Sequence, residues 1–279
     1  MSRIIEFSNG KKIVDGLSEV NGHNRSFLFG DGMFETIKVF NGNPIFLSQH
    51  IDRMQFGMDR LMMELPMDGF DKYLADFIPQ VLAEENIVHG RIRLTIYRDS
   101  SGLYTPMDLQ SGWHMIIRES DLEDSETIEQ LKAVIFSGMR KDNSWVSRIK
   151  TTSSLLYVMA GIHAASCQKD ESIILNSEGR VVESHTSNIF TLKGNEFQTP
   201  PLSEGCIDGV LRRHIIGMMN RNGLLVRETP LTKSELMAAD EIILTNVMSW
   251  CRNVIEFEGK KYSGDTSQKL NQWLFEEVH

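Results

Sequence analysis

The sequence is poor in cysteine and has no excess of basic residues, and each shortage excludes a class of protein. Three cysteines occur in 279 residues, and their spacing matches neither a disulfide framework nor a metal site. Lysine and arginine together number 29 against 38 acidic residues, so the formal net charge is -9. We therefore expect free thiols in a reducing compartment and no bound metal ion. Nucleic acid and anionic membranes are excluded as main partners.

Long apolar runs, internal repeats and low-complexity segments are also absent. The N-terminal residues lack the apolar region of a signal peptide, and no apolar run could span a bilayer. These absences predict a soluble, cytoplasmic protein. The 41% of apolar residues is enough to bury a large core, most simply as two domains. An acidic, serine-containing run predicts a linker over 119–126, between an α/β domain at 1–118 and another at 127–279.

Alternation, turn residues and helical spacing predict the elements of the N-terminal half. Residues 3–14 predict a β-hairpin around Asn9-Gly10. Gly30 and Gly32 precede a strand that ends at Asn41-Gly42. Because phosphate-loop patterns are absent there, we interpret these two glycines as a tight turn. The pattern further predicts helices over 47–65, with Ser48 as N-cap, and over 69–85, and strands over 91–98 and 115–117.

Several arginines in this half have two interpretations. Arg53 lies on the first long predicted helix, where a solvated or ion-paired side chain is the ordinary expectation. Arg91 and Arg93 share one face of a predicted strand, because side chains alternate along a strand. That face either contacts solvent or binds a carboxylate, which the arginine fork holds with two hydrogen bonds. The spacing favours neither.

The C-terminal half places a lysine and a glutamate in unusual settings. Lys150 lies among small polar residues, and Glu183 closes an apolar strand, where a buried carboxylate needs a partner. Gly209 precedes a predicted helix at 210–220, whose first amides suit an anion, although a plain glycine turn fits equally. Thr245 and Asn246 end a predicted strand. These two small polar residues suit an anion site, although such residues are also common at strand ends. The remaining predicted elements are strands over 131–136, 172–176, 181–183 and 241–246, and helices over 153–167 and 267–278.

Four patches, taken together and in this order, resemble one family. They are Phe29–Thr36, His50–Arg53, Lys150 followed by Glu183–Phe190, and Gly209–Arg212 with Leu244–Asn246. They are similar to the class IV, fold type IV pyridoxal-phosphate enzymes. That group comprises branched-chain aminotransferases, D-amino acid aminotransferases and 4-amino-4-deoxychorismate lyases. The resemblance covers nearly the whole chain.

The resemblance implies an α/β (α+β) two-domain fold with pyridoxal 5'-phosphate in the cleft between the domains, usually in a homodimer. It implies that Lys150 forms the Schiff base and that Glu183 faces the pyridine nitrogen. The lysine must lose a proton near neutral pH, which burial or a cationic neighbour would favour by lowering its pKa. The residues implied to bind the phosphate are Arg53, Gly209, Val210, Leu211, Thr245 and Asn246. Those implied to bind substrate are Phe34, Arg91, Arg93 and Arg98.

The sequence departs from each subgroup at positions that bear on substrate. Leu103 and Thr105 replace the carboxylate-binding arginine and histidine of the D-amino acid enzymes, which argues against that activity. Arg93 matches an arginine of the branched-chain enzymes, but Arg91 replaces their nearby tyrosine. Ser153 and Ser154 replace an asparagine and a tyrosine beyond the lysine. We expect amino transfer from an amino acid, a branched-chain one among the candidates, to a 2-oxo acid. The alternatives are aminodeoxychorismate lyase, which releases pyruvate and 4-aminobenzoate, and a non-catalytic binding protein.

Overall fold

The computed structural model describes residues 3–14, 22–120 and 130–278. The chain divides into two compact units. Unit 1 comprises Met1–Asp124 and Ile149–Ser153, and unit 2 comprises Ser125–Arg148 and Ser154–His279. Each unit contains a β-sheet and helices, which confirms the predicted α/β class. Most of the predicted linker, from residue 121 to 126, lies outside the described residues.

Unit 1 is built on an antiparallel sheet of six strands. These are β1 (Ile4–Ser8), β2 (Lys11–Lys12), β3 (Gly32–Phe40), β4 (Asn43–Pro44), β5 (Gly90–Arg98) and β6 (Ser111–Glu119). Their order across the sheet is β2-β1-β6-β5-β3-β4. The predicted hairpin forms at Asn9-Gly10, and the predicted turn at Asn41-Gly42 joins β3 to β4 in a second hairpin. All four turn residues take the positive φ angles that such turns require.

Three helices accompany this sheet: α1 (Arg25–Phe29), α2 (Leu47–Arg60) and α3 (Phe70–Glu84). The prediction for α3 is confirmed to within one residue at each end. The prediction for α2 was right in its first residue, Leu47, but wrong in its N-cap and in its last residue. Phe46, not Ser48, is the N-cap, and the helix stops at Arg60 because Met62 takes a φ of 52°, which helical backbone cannot have.

Apolar residues at helical spacing on α3 form the centre of the unit 1 core. Phe70, Leu74 and Ile78 are fully buried and belong to the same cluster as Trp113 of β6. Each such side chain contributes roughly 1.5–3 kcal/mol of transfer free energy. The opposite face of the sheet therefore remains available for polar side chains.

Unit 2 contains a mixed sheet of nine strands. They are β7 (Gln130–Lys141), β8 (Glu171–Asn176), β9 (Val181–Ser184), β10 (Asn188–Lys193), β11 (Glu196–Thr199), β12 (Val226–Glu228), β13 (Glu241–Asn246), β14 (Trp250–Phe257) and β15 (Lys260–Lys261). Eight follow the order β12-β11-β10-β13-β14-β7-β8-β9, and β15 pairs with β14. The strands predicted from 172, 181 and 241 are confirmed, whereas β7 continues five residues beyond its predicted end at 136.

The helices of unit 2 are α4 (Leu155–Ser166), α5 (Val210–Arg221), α6 (Lys233–Ala238) and α7 (Thr266–Val278). The predictions for α4, α5 and α7 are confirmed to within two residues. A capping box starts α6, since Thr232 and Glu235 exchange hydrogen bonds between side chain and backbone. Helix α4 exposes an apolar stripe, which consists of Leu155, Val158, Met159 and Ile162.

The segment Ile149–Ser153 belongs to unit 1 although the residues on either side belong to unit 2. Its backbone pairs with the start of β3 through a bridge between Met33 and Thr151. The lysine at position 150 is thus carried by unit 1, whereas the predicted domain boundaries had included it in the C-terminal domain.

No helix in the described ranges has the length and apolar character needed to cross a bilayer. Cys206 and Cys251 are buried, Cys167 is exposed, and all three are free thiols. Among the described residues there is no cluster of three or more His, Cys, Asp or Glu side chains that could hold a metal ion.

Candidate active site

Lys150 is fixed to β3 through backbone hydrogen bonds. The amide of Phe34 donates to the carbonyl of Lys150 at 2.9 Å, and the amide of Thr152 donates to the carbonyl of Gly32 at 2.9 Å. A Cβ atom at Gly32 would lie 2.8 Å from the carbonyl oxygen of Ile96, so glycine is required for this close approach. The glycine bend predicted before β3 therefore positions the lysine segment.

The side chain of Lys150 lies on the face of the sheet opposite the helices. Its Nζ donates a long hydrogen bond of 3.4 Å to Oγ1 of Thr36 and lies 4.5 Å from the centre of the Phe34 ring. The guanidinium carbon of Arg93 lies 3.7 Å from the centre of the same ring. The Phe34 ring is thus in contact with both the Lys150 amine and the Arg93 guanidinium.

The cross-strand register explains how Arg93 reaches this position. Thr36 pairs with Arg93, and Phe34 pairs with Thr95, so these side chains share one face. Arg91 is exposed on the same face, two residues from Arg93. The alternation predicted for this strand is confirmed.

Arg98 lies on the other face of β5. Its Nε donates to Asp31, and its two terminal nitrogens donate to the carbonyls of Leu61 and Met62, just beyond the end of α2. The side chain is buried and holds this turn together. The substrate-binding role predicted for Arg98 was therefore wrong, because its donors point into the fold.

Arg53 forms a buried ion pair on α2. Its guanidinium donates from Nε to one oxygen of Glu35 at 2.7 Å and from Nη2 to the other at 2.5 Å. His50 also donates to Glu35, from Nδ1 at 2.7 Å, because a carboxylate can only accept. The ion-paired alternative for Arg53 is thus present, and the pair fixes the direction of the guanidinium.

We expect the Glu35 cluster to make stability depend on pH. Burial opposes ionisation of Glu35, but the charge of Arg53 and the hydrogen bonds from His50 and Arg53 outweigh it and lower its pKa from 4.5 to about 2. The stabilisation is complete above pH 4.5 and is lost as the pH falls through about 2, a loss of about 3 kcal/mol. Urea unfolding at several pH values should show the stability gap between wild type and Glu35→Gln narrowing over this interval.

The control for this experiment is Glu84→Gln, which neutralises an exposed carboxylate on α3. Its stability difference from wild type should change little with pH. A gap between wild type and Glu35→Gln that stays constant from pH 6 to pH 2 would contradict the pKa given for Glu35.

Glu183 is buried in unit 2 and has hydrogen bonds to both carboxylate oxygens. Nζ of Lys141 donates to Oε1 at 2.5 Å, and the hydroxyl of Tyr157 donates to the same oxygen at 2.8 Å. The backbone amide of Ile207 donates to Oε2 at 2.9 Å. Burial, followed by the charge and hydrogen bond of Glu183, raises the pKa of Tyr157, so its hydroxyl remains a donor. The sequence predicted that Glu183 needs a partner but identified neither Lys141 nor Tyr157.

The start of α5 combines the features of an anion site. Its N-cap, Gly209, makes no side-chain cap, so the first amides of the helix have no acceptor from it. A Cβ at Gly209 would lie 2.0 Å from Oδ1 of Asn188, and Asn188 pairs directly with Thr245. The hydroxyl of Thr245 is buried and has no hydrogen-bond partner among the described residues. Asn188, which the sequence did not single out, thus brings the predicted residues Gly209 and Thr245 together.

The side chain of Asn246 has a different use. Its Oδ1 accepts hydrogen bonds from the amides of Met248 and Ser249, and its Nδ2 donates to Ser187. These bonds shape the turn that follows β13. Any contribution of Asn246 to an anion site would therefore come from its backbone.

Comparisons with known proteins define the class. The family model described as amino-transferase class IV matches residues 32–257. A putative branched-chain-amino-acid aminotransferase of Methanocaldococcus jannaschii is 26% identical, and the match covers 95% of this chain and 93% of that protein. The aminodeoxychorismate lyase of Bacillus subtilis is 26% identical, with coverages of 86% and 82%. The solved branched-chain aminotransferase of Thermoproteus uzoniensis has a TM-score of 0.89 at 24% identity, with coverages of 98% and 94%.

The chain belongs to the class IV aminotransferase family. It has the fold type IV architecture and uses pyridoxal 5'-phosphate, as the members of this family do. It is therefore a pyridoxal-phosphate-dependent enzyme, either an aminotransferase or an aminodeoxychorismate lyase.

The residues present fit this cofactor. An unpartnered buried hydroxyl on Thr245 and the uncapped start of α5 are the donors that a phosphate group requires. The carboxylate of Glu183 suits a protonated ring nitrogen, and Lys150 supplies a primary amine. Each observation is made within one unit and independently of the others.

We expect Thr245→Val to weaken cofactor binding while stabilising the apoprotein. Valine has nearly the same shape but lacks the hydroxyl, so the apoprotein loses an unsatisfied buried group and gains about 1 kcal/mol in unfolding free energy. Loss of a hydrogen bond to phosphate should raise the cofactor Kd about 10-fold. Absorbance titration and calorimetric unfolding of the apoprotein measure the two effects.

Thr245→Ser is the matched control, because it keeps the hydroxyl and removes only a methyl group. Its cofactor Kd should stay within about twofold of wild type. If valine and serine variants bind the cofactor equally well, Thr245 does not contact the phosphate.

Proposed function

We propose that this enzyme transfers an amino group between an amino acid and a 2-oxo acid, with Lys150 linked covalently to pyridoxal 5'-phosphate. The observation that carries the proposal is the position of the Lys150 amine, which lies against the Phe34 ring that the guanidinium of Arg93 also contacts. A carboxylate bound by Arg93 would hold a substrate's reacting carbon close to that amine. The bound cofactor supplies an electron-withdrawing ring that makes the hydrogen on this carbon acidic.

The proposed residues divide the work between proton transfer and binding. Nζ of Lys150 removes and returns the proton at the substrate's α-carbon as general base and acid. Glu183, held by Lys141 and Tyr157, keeps the ring nitrogen protonated through its fixed negative charge. The proposed phosphate-binding residues are Arg53, Gly209, Val210, Leu211, Thr245 and Asn246.

Phe34, Arg91 and Arg93 are the proposed substrate-binding residues. They share the face of the sheet that carries Lys150. Arg93 can bind a carboxylate with two parallel hydrogen bonds, and Phe34 supports the stem of the substrate. A D-amino acid activity is not proposed, because Leu103 and Thr105 lack the groups that would bind the carboxylate.

The second candidate is aminodeoxychorismate lyase. The observation that favours it is the 26% identity to the lyase of Bacillus subtilis over 242 residues, equal in percentage to that of the putative aminotransferase of Methanocaldococcus jannaschii. Elimination of pyruvate needs the same lysine and the same ring. The two reactions differ in the cofactor form at the end of the turnover, since only amino transfer leaves the amino group on the cofactor.

We propose a homodimer in the cytoplasm as the working form of the enzyme. The exposed apolar stripe of α4, defined above, supports association with a second copy, because such stripes are normally covered. Free thiols in the chain fit a reducing compartment. Light scattering of the purified enzyme measures the oligomeric state.

A stopped assay decides between the two candidate reactions. The purified holoenzyme is incubated with aminodeoxychorismate alone, and in parallel with a panel of L-amino acids and 2-oxoglutarate. Amino transfer predicts glutamate from the panel and no 4-aminobenzoate, whereas the lyase predicts 4-aminobenzoate and pyruvate. If neither set of products forms, both catalytic proposals are refuted.

A further inference from the structure

An irregularity in β7 brings Lys141 to Glu183. The strand pairs with β8 at Phe136, opposite Ile174, and the pairing resumes at Lys141, opposite Asn176. The chain therefore advances five positions on β7 for two on β8, as a bulge does when it redirects a side chain. The side chain of Lys141 is buried as a result, with its amine 2.5 Å from the Glu183 carboxylate.

Lys141, Tyr157 and Glu183 form a closed triangle of hydrogen bonds. Nζ of Lys141 donates to the Tyr157 hydroxyl at 2.7 Å, and both groups donate to Oε1 of Glu183. A carboxylate oxygen has two lone pairs, so these two donors fill Oε1. A further donor must therefore approach the other oxygen, Oε2.

The second oxygen of Glu183 has room for one more donor. The amide of Ile207 donates to Oε2 at 2.9 Å, whereas Nδ2 of Asn188 lies 3.4 Å from it, longer than an ordinary hydrogen bond. Nδ2 of Asn188 also donates to the carbonyl of Ile207 at 2.9 Å. The long contact can thus be given up without leaving the Asn188 amide unpaired.

The other ionisable groups near Glu183 do not compete with Lys141. Arg212 and Asp208 each form an ion pair with a neighbouring side chain. Burial, and then the charge of Glu183, raises the pKa of the Cys206 thiol to about 12, so that thiol stays neutral. Among the described residues, Lys141 is the cation in an ion pair with Glu183. A buried ion pair adds little net stability by itself, which leaves room for a chemical role.

We propose that Lys141 is a positioning residue that acts through Glu183 and keeps the proton shared by this carboxylate and the cofactor's ring nitrogen on the nitrogen. The inference rests on the proposed function, in which Glu183 faces the ring. A nitrogen bonded to Oε2 would lie roughly twice as far from Nζ of Lys141 as Oε1 does. Because Coulomb energy falls with distance, the ammonium stabilises the carboxylate more than it opposes the protonated ring. Without the ammonium, the buried carboxylate should take the proton itself.

Nitrogen NMR of the holoenzyme, loaded with cofactor that carries an isotope label at the ring nitrogen, tests this inference. The chemical shift of a pyridine nitrogen reports directly whether it is protonated. The wild type should show a protonated nitrogen near neutral pH. In Lys141→Met, the ratio of ring-protonated to carboxyl-protonated forms should fall roughly 10- to 100-fold. Lys141→Arg keeps the charge and should retain the wild-type signal.

Lys141→Gln is the second variant, because it keeps a hydrogen-bond donor and removes only the charge. Its signal should move in the same direction as that of Lys141→Met, and it carries the test if the methionine variant does not fold. Lys169→Met is the matched control, since it removes a lysine from a partly exposed ion pair in the same unit. Its signal should equal that of the wild type.

Two results would overturn the inference. One is a wild-type signal in folded protein that lacks the Lys141 charge, which would leave the ion pair with a structural role only. The other is an unprotonated ring nitrogen in the wild type. The stopped assay reports the reaction separately. Absence of amino transfer, together with the expected change in signal, would refute the proposed reaction and support the role of Lys141.

Discussion

Replacement of Lys150 by alanine is expected to abolish turnover and the visible absorbance band of the lysine-linked cofactor. The amine has two roles in the proposed function, as the covalent attachment point and as the group that moves the proton. Removal of a residue with both roles should lower kcat by about 10⁴-fold or more. Absorbance spectra and single-turnover kinetics of the variant measure the two losses. The Lys150 amine lies 4.5 Å from the centre of the Phe34 ring, and no other lysine of the described residues contacts that ring. The variant therefore has no second amine that could replace it there.

The control for this variant is Lys269→Ala on α7. Lys269 is exposed and lies over the ring of Trp273, away from the residues assigned to the site. Its spectrum and kcat should match those of the wild type. A Lys150→Ala protein that keeps the absorbance band would move the covalent link to another lysine.

Glu183→Ala is expected to cause the second largest effect. The substitution removes the carboxylate proposed to face the cofactor's ring nitrogen, and it also removes the ion-pair partner of Lys141. Loss of the fixed carboxylate should slow turnover by about 10²- to 10³-fold, the usual effect of removing one preorganised electrostatic partner. The variant also leaves the Lys141 cation buried without its ion pair. That change should lower the free energy of unfolding by about 3–5 kcal/mol. Steady-state kinetics and urea unfolding measure the two losses.

A double variant separates these two effects. In Lys141→Met with Glu183→Gln, no charge remains buried at the pair, and the amide oxygen can still accept the hydrogen bond of Tyr157. Stability should return to within about 2 kcal/mol of wild type, whereas turnover should stay slow. Recovery of turnover together with stability would assign Glu183 a purely structural role.

The elements that the sequence predicted well are those with local signals. The Asn-Gly hairpins, the strand that begins at Glu241 and the helix that begins at Val210 each depend on residues close in the chain. The side-chain contacts could not be predicted, because they depend on strand register. Lys141 and Glu183 are 42 residues apart, and only the pairing of β7, β8 and β9 brings them together.

Arg98 illustrates a signal that was present in the sequence and misread. Arg91 and Arg93 are two residues apart, whereas Arg98 lies an odd number of positions from both. Because side chains alternate along a strand, this parity alone places Arg98 on the opposite face. The end of α2 was mispredicted for a related reason, since the carbonyl groups of Leu61 and Met62, just beyond the helix, are held by this distant arginine.

The assignment of residues 149–153 to unit 1 has a practical consequence for protein engineering. A chimera that exchanges the first 124 residues for those of a relative would transplant β3 but leave its partner backbone in the recipient. Mismatch at that seam would displace the Lys150 amine, because Phe34 and Thr36 would come from the relative whereas the lysine segment would not. A chimera should therefore exchange the N-terminal segment and the Ile149–Ser153 segment together.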